Sequence, residues 1–392
     1  MPPVDDFSGG KGGMSEKLCN FADDLNEKDM KKSILSIILF AVAAIFTATA
    51  QTKVEVSETI ELMSILARTA GYEEFSENLG GQYTKDIEAW FAPYKEHAAV
   101  AIAKDIRAKH GIGYDRVSNM AVHLDIDRGK VVLVGDRTEL NNGWQDTDLD
   151  NFVKNVNKFY KDTRFHDFFE QHRTFYDEFI KTYEANLMRK FSSEWYSQFY
   201  HGTEPADQFR VVIGFNYGST NNGAWRQLPG KPRELFSIIG YNFNPTRGRP
   251  LLDLTLLYHE FNHSFVNPLL DAAAHAKAME PVGQKLFQLS KQTMEQQHYN
   301  DWSIVINESL VRAAVILKMQ DMGFDRQMTL NVMASEMLQK GFPWMLDLVG
   351  TLRYYTAHRD KYPSLADFYP EIVRCLEKYV EDEEGRMQNA LK

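Results

Sequence analysis

The chain has 392 residues, with 44 Lys+Arg, 54 Asp+Glu, 11 His, 2 Cys, a formal net charge of −10, and hydrophobic and aromatic shares of 44% and 12%. This composition excludes wholesale disorder, a collagen-like repeat and a disulfide-stapled miniprotein. The acidic balance argues against nucleic acid as the main partner, because binding phosphates calls for clustered Lys and Arg.

Residues 31–50 read KKSILSIILFAVAAIFTATA. Lys31 and Lys32 form a positive n-region. The apolar run from Ile34 to Phe46 is shorter than the ~20 residues that span a bilayer, and Ala48-Thr49-Ala50 supplies the small residues that signal peptidase accepts. The pattern predicts a secretory signal peptide over Met30–Ala50, cut before Gln51, and hence a secreted or periplasmic protein with no stable membrane span. An uncleaved anchor or a buried apolar helix is the alternative. Residues 1–29, rich in Gly and Asp and without periodicity, read as a mis-assigned or disordered leader ahead of a true start at Met30, or as a long n-region. Cleavage would remove Cys19 and leave Cys375 alone, so no intramolecular disulfide is expected.

From Gln51 the pattern predicts a single α+β domain, predominantly helical, with a helix-rich part over about 51–205 and a metal-bearing part over about 206–392. Ile60, Met63, Ile65, Leu66 and Ala70 recur at helical spacing within a helical block from Val56 to about Lys109. Residues 121–134 alternate apolar and polar around Asp127-Arg128-Gly129, which predicts a β-hairpin. Residues 149–200 are helical again. FRVVIGFNYG (209–218) and RELFSIIGY (233–241) read as strands joined by a Gly/Asn/Pro loop. After Arg249-Pro250 everything reads as helix, with breaks near Asn267-Pro268, Gly323, Gly341 to Pro343 and Pro363.

One motif stands out. Residues 256–268 read LLYHEFNHSFVNP and contain His259-Glu260-Phe261-Asn262-His263. Positions i and i+4 of a helix share a face, so both imidazoles can reach one metal ion. Glu260 is offset by about 100° from His259. There its carboxylate can accept the proton of a metal-activated water. Pro250 fits a helix's first turn, and Asn267-Pro268 is expected to stop the helix. A catalytic zinc site needs a third protein ligand. DWSIVINESLVRAAVILK (301–318) offers Glu308 in apolar surroundings, with Asp301 as N-cap. Its buried carboxylate needs a cation, which the metal or Arg312 could supply, and a plain Glu308–Arg312 helix pair is the bland alternative. Glu280, Glu295 and Glu336 compete less well.

HEFNH followed by NESLVR resembles the gluzincin branch of zinc metallopeptidases. In its longer form, HEFNHSFVNP with NESLVR is similar to an uncharacterised family of secreted bacterial proteins taken to be such peptidases, and ELMSILARTAGYEEF (61–75) resembles that family too. The resemblance implies a small sheet packed beside a zincin-like, metal-bearing helix pair. By position it implies His259, His263 and Glu308 as ligands of Zn2+, Glu260 as catalytic base, and a peptide or protein substrate. The 45 residues from His263 to Glu308 exceed the spacing of compact gluzincins, so an extra helix is expected around 269–298. No G-x-M-E-N motif supports an exopeptidase mode.

For an oxyanion donor the sequence offers Tyr354, Tyr355 and His358. FSIIGYNFN (236–244) could pair with an extended substrate or be an ordinary sheet strand. His97, His123, His166 and His275 lack ligand spacing. A non-catalytic exported zinc-containing binding protein and a zinc hydrolase of cell-wall amide bonds are the competing functions.

Overall fold

The computed structural model describes residues 52–79, 81–140, 143–201, 207–241, 243–244, 249–250 and 253–390. The signal-like stretch and everything before it lie outside the described residues.

A short strand β1 (Lys53–Glu55) leads into α1 (Glu58–Thr69), whose N-cap Ser57 accepts the Ile60 N–H. The predicted N-terminal helical block divides at loops into α1, α2 (Gln82–Phe91) and α3 (Ala98–His110). A further helix α4 (Asp115–Val122) takes the first residues of the predicted hairpin. The hairpin itself is β2 (Leu124–Asp127) and β3 (Lys130–Leu133), paired antiparallel. Its turn residues Arg128 and Gly129 both have positive φ, the geometry that matches strand twist in a two-residue hairpin loop. The next helical stretch is α5 (Leu149–Asp162), α6 (Phe165–Gln171) and α7 (Arg173–Tyr183).

The two predicted strands are β4 (Gln208–Gly214) and β6 (Glu234–Gly240), and they pair parallel. The segment expected to be a loop between them holds another strand, β5 (Asn221–Arg226), antiparallel to β6. Sheet order is β1-β4-β6-β5. β6 is therefore interior, with both edges occupied, and cannot accept a substrate strand; the reading of residues 236–244 as a docking edge is overturned. The terminal strands are β1 and β5. A ladder of charges locks these strands together. Arg210 donates to Glu55 (2.6 Å) and Glu234 (2.7 Å), and Arg226 donates to Glu234 (2.6 Å) and to the Val122 carbonyl of α4 (2.6 Å).

Residues 243–244 and 249–250 form a small antiparallel pair, β7 and β8. Pro250 thus lies in a strand rather than in a helix's first turn. Helix α8 (Leu254–Asp271) starts instead at Asp253, whose side chain accepts the N–H groups of Thr255 and Leu256. Nor does Asn267-Pro268 end it. Proline removes the N–H that would bond the carbonyl four residues back, and here that carbonyl, on Ser264, accepts from Arg233 Nη1 at 3.5 Å. The freed acceptor has a partner, so the helix continues to Asp271.

The extra helix expected before Glu308 is α9 (Ala273–Gln296). It is followed by α10 (Trp302–Asp321), capped by Asp301 as expected, and then α11 (Arg326–Leu338), α12 (Met345–Ala357) and α13 (Leu365–Ala390). From Thr52 onward the chain packs as one compact unit about one apolar core. The fold is α+β and predominantly helical, with a small mixed sheet. Among the described residues no helix is long and apolar enough to cross a membrane.

Candidate metal centre

Helix α8 is amphipathic around its histidines. Tyr258, Phe261 and Phe265 are buried in an aromatic cluster, where Phe261 meets Phe209 edge-on at 5.1 Å and Phe265 stacks on Tyr196 at 5.1 Å. Burying each such ring contributes about 1.5–3 kcal/mol, which fixes the roll of the helix. The opposite face presents His259 and His263. On one side α8 is tied to β5 by Ser264 Oγ, which donates to the Ala224 carbonyl at 3.2 Å. On the other, Asn262 donates to the Val311 carbonyl of α10 at 3.4 Å. β5 approaches so closely that a Cβ on Gly223 would lie 2.0 Å from the Glu260 carbonyl oxygen and 2.9 Å from His263 Cβ. Only glycine fits there.

This packing brings His259, Glu260 and His263 into one cluster, with a ligand atom of each within 4.8 Å of the others. Glu308, reaching across from α10, joins them. His259 Nε2 and His263 Nε2 are 3.3 Å apart, His263 Nε2 is 3.3 Å from Glu308 Oε1, and His259 Nε2 is 3.7 Å from Glu308 Oε2. Zinc bonds of about 2.0–2.1 Å at tetrahedral angles hold ligand atoms about 3.3–3.4 Å apart, so the donor set His, His, Glu fits that ion. Glu308 suits the third position better than Glu260. It meets both imidazoles at ion-pair distance, which the Glu260 carboxylate does not.

The surrounding groups orient these donors. Asn267 lies 3.2 Å from His263 Nδ1, which directs the other ring nitrogen at the cluster. Arg312 donates to Glu308 at 3.0 Å and is itself braced by Glu336 and by the Tyr299 hydroxyl, both at 3.0 Å. Glu336, weighed in sequence as a competing ligand, is thus a partner of Arg312. Glu280 bonds Gln284 and Glu295 pairs with Lys291.

The electrostatics follow from burial and neighbours. Burial pushes Glu260 up to about 7, a value suited to a group that takes and returns a proton near neutrality. Burial holds His259 down at about 3, so its ring is neutral and able to donate a lone pair. For His263 burial opposes the charge, but the hydrogen bond and charge of Glu308, with the charge of Glu260, lift it to about 9. Burial would raise Glu308 too. His259, the hydrogen bond from His263 and Arg312 together hold it well below the usual carboxylate range.

The expected oxyanion donors are not gathered to this site. Tyr355 is buried and its hydroxyl donates to the Phe199 carbonyl at 2.6 Å. Tyr354 stacks on His358 at 3.8 Å, and His358 Nδ1 lies 2.8 Å from the Tyr354 carbonyl. Tyr355 serves the packing of α12 against its neighbours, whereas Tyr354 is exposed. The set-aside histidines also have local roles. His97 caps α3, His123 meets Glu139 at 3.1 Å, His166 meets Glu58 at 3.0 Å, and His275 stacks on Tyr369. Sequence reasoning missed Gly223, Tyr299 and the positioning role of Asn267. Only Asn267 carried a signal, lying one turn beyond His263.

Fold and site together define a predominantly helical α+β protein whose sheet edge and two helices converge on a His-Glu-His cluster. The chain belongs to the family described as Domain of unknown function (DUF4932), whose model matches residues 52–375 and so contains every residue of the cluster. Comparisons with curated proteins and with solved structures returned no match.

Proposed function

We propose that this protein is an exported, zinc-dependent metallopeptidase of the gluzincin type, with His259, His263 and Glu308 as metal ligands and Glu260 as the catalytic base. The observation that carries this reading is the convergence of three donor side chains, His259, His263 and Glu308, with atoms 3.3, 3.3 and 3.7 Å apart, and the Glu260 carboxylate beside the two histidines. The export half rests on the signal-like pattern at 30–50. Zinc bound by this set supplies Lewis acidity and makes water a competent nucleophile near neutral pH. Glu260 accepts the proton of the attacking water and passes it to the departing amine. Arg312 holds Glu308 ionised and in place. β5, the sheet edge beside Glu260, is the strand able to pair with an extended peptide backbone. The side chains of His259 and His263 remain 18% and 16% exposed, which favours a site that water can reach over a closed structural one.

The test is Glu260→Gln in the full chain, loaded with zinc and assayed on a peptide library. Zinc content should match wild type while hydrolysis falls by about 10²–10⁴-fold. A zinc-loaded variant that cleaves peptides at the wild-type rate rules out this mechanism.

A further inference from the structure

Four non-glycine residues among those described have positive φ: Tyr114 (48°), Arg128 (48°), Arg164 (51°) and His298 (64°). Arg128 sits in the hairpin turn and Arg164 caps α6. The other two come from separate loops, α3–α4 and α9–α10, and their rings meet at 5.9 Å. For Tyr114, whose ψ is −126°, this is a genuine outlier, and such strain persists only where the surroundings impose it, commonly at functional sites. His298 is the left-handed residue that closes the C-terminus of α9, where the Tyr299 N–H bonds the Met294 carbonyl at 2.9 Å.

The surroundings of Tyr114 do impose it. Its N–H is taken by Glu74 Oε1 at 3.0 Å, and Glu74 is clamped by Arg107 through contacts of 2.7 and 2.9 Å. Glu74 belongs to the GYEEF segment singled out in sequence. Gly113 leaves room for this clamp, since a Cβ would lie 2.6 Å from Arg107 Nη1 and 2.8 Å from Glu74 Oε1 and would push those side-chain ends aside. Together Gly111 and Gly113 give the loop hinge points at both ends of the buried Ile112.

Both loops border the metal cluster. α4, which starts at Asp115 next after Tyr114, packs against β5, the strand whose Gly223 abuts His263. Tyr299, next after His298, accepts from Arg312 at 3.0 Å, and Arg312 donates to Glu308 at 3.0 Å. One loop is therefore linked through β5 to a ligand on α8 and the other to a ligand on α10, and the rings of Tyr114 and His298 join between them. Tyr114 is 42% exposed, so the pair faces solvent.

We propose that Tyr114 and His298 form a two-ring gate on the metal cleft, seated by Glu74 and Arg107, which must part before an extended peptide can reach Glu260. The inference rests on the metallopeptidase reading and adds to it residues that control access. The test measures zinc release from the zinc-loaded full chain to a bulky chelator, in wild type, Tyr114→Gly, His298→Gly and the double variant. Glycine removes the ring and relieves the backbone strain together, so folding is favoured. Arg128→Gly relieves the same strain outside the site and serves as control. Each gate variant should release zinc about tenfold faster, the double variant no faster than either single, and Arg128→Gly at the wild-type rate. Stoichiometric zinc with unchanged release in both gate variants overturns the gate. Faster release from a chain that cleaves no peptide keeps the gate and removes the peptidase reading. A chain that takes up no zinc removes both.

Discussion

Glu61 in α1 and Glu308 in α10 are both drawn into the protein interior, and their surroundings treat the same carboxylate in opposite ways. Glu61 is fully buried and meets only neutral donors, the Tyr83 hydroxyl at 2.7 Å and the Phe215 N–H at 2.7 Å. Burial outweighs these, and its pKa rises from 4.5 to about 7. Glu308 meets two imidazoles and a guanidinium, and it stays ionised far into acid. Burial alone therefore does not set the charge of a carboxylate. The neighbours of Glu308 stabilise its negative charge, whereas the Glu61 site ties α1 to the end of β4 with a group that is easily neutralised.

The largest effect should follow from removing the charged member of the comparison. Glu308→Ala leaves His263 buried without its anion and Arg312 with Glu336 as its remaining carboxylate, so the metal-free protein should lose about 3–5 kcal/mol in denaturant unfolding, and zinc should no longer bind stoichiometrically. Equal stability would mean that the ion cluster is solvated. In the wild type, the folded-state pKa of Glu308 is depressed, so its contribution is present above the unfolded value near 4.5 and is lost as pH falls below it.

Glu61 runs the other way. Its folded-state pKa is raised, so the native state binds more protons between 4.5 and about 7, and stability falls as pH rises through that window. The shift corresponds to about 3 kcal/mol. Glu61→Gln should abolish this slope, because the amide stays neutral and the Tyr83 hydroxyl can turn to accept from it. An unchanged slope would show that other groups carry it. The smallest effect makes Glu308 more like Glu61. Arg312→Met keeps the contact with Phe342 but removes the cation, and zinc affinity should drop about 10–100-fold. No change would mean that Arg312 is a bystander.

Much of the site was legible because its signals are local. The i, i+4 spacing of His259 and His263, the apolar setting of Glu308 and the N-cap Asp301 each depend on a few adjacent residues. What escaped depends on tertiary contact. NNGAWR lacks the β-branched run of a strand, and Gly223 looks like a loop residue until α8 lies 2.0 Å from its missing Cβ. Pro268 reads as a stop until Arg233 supplies a partner for the Ser264 carbonyl. The interior position of β6 could not be read without β5 on its far side. Tyr354, Tyr355 and His358 had the right chemistry, but in sequence nothing distinguished a packing tyrosine from a catalytic one. Tyr114 and His298 lie 184 positions apart and meet only through the fold.

The central claim is that His259, His263 and Glu308 form one zinc site, and zinc K-edge absorption on the purified full chain tests it most directly. The account predicts one zinc per chain, nitrogen and oxygen ligands at about 2.0–2.1 Å with two imidazoles, and one imidazole fewer in His263→Ala. Absence of stoichiometric zinc, or a sulfur ligand from Cys375, would contradict it.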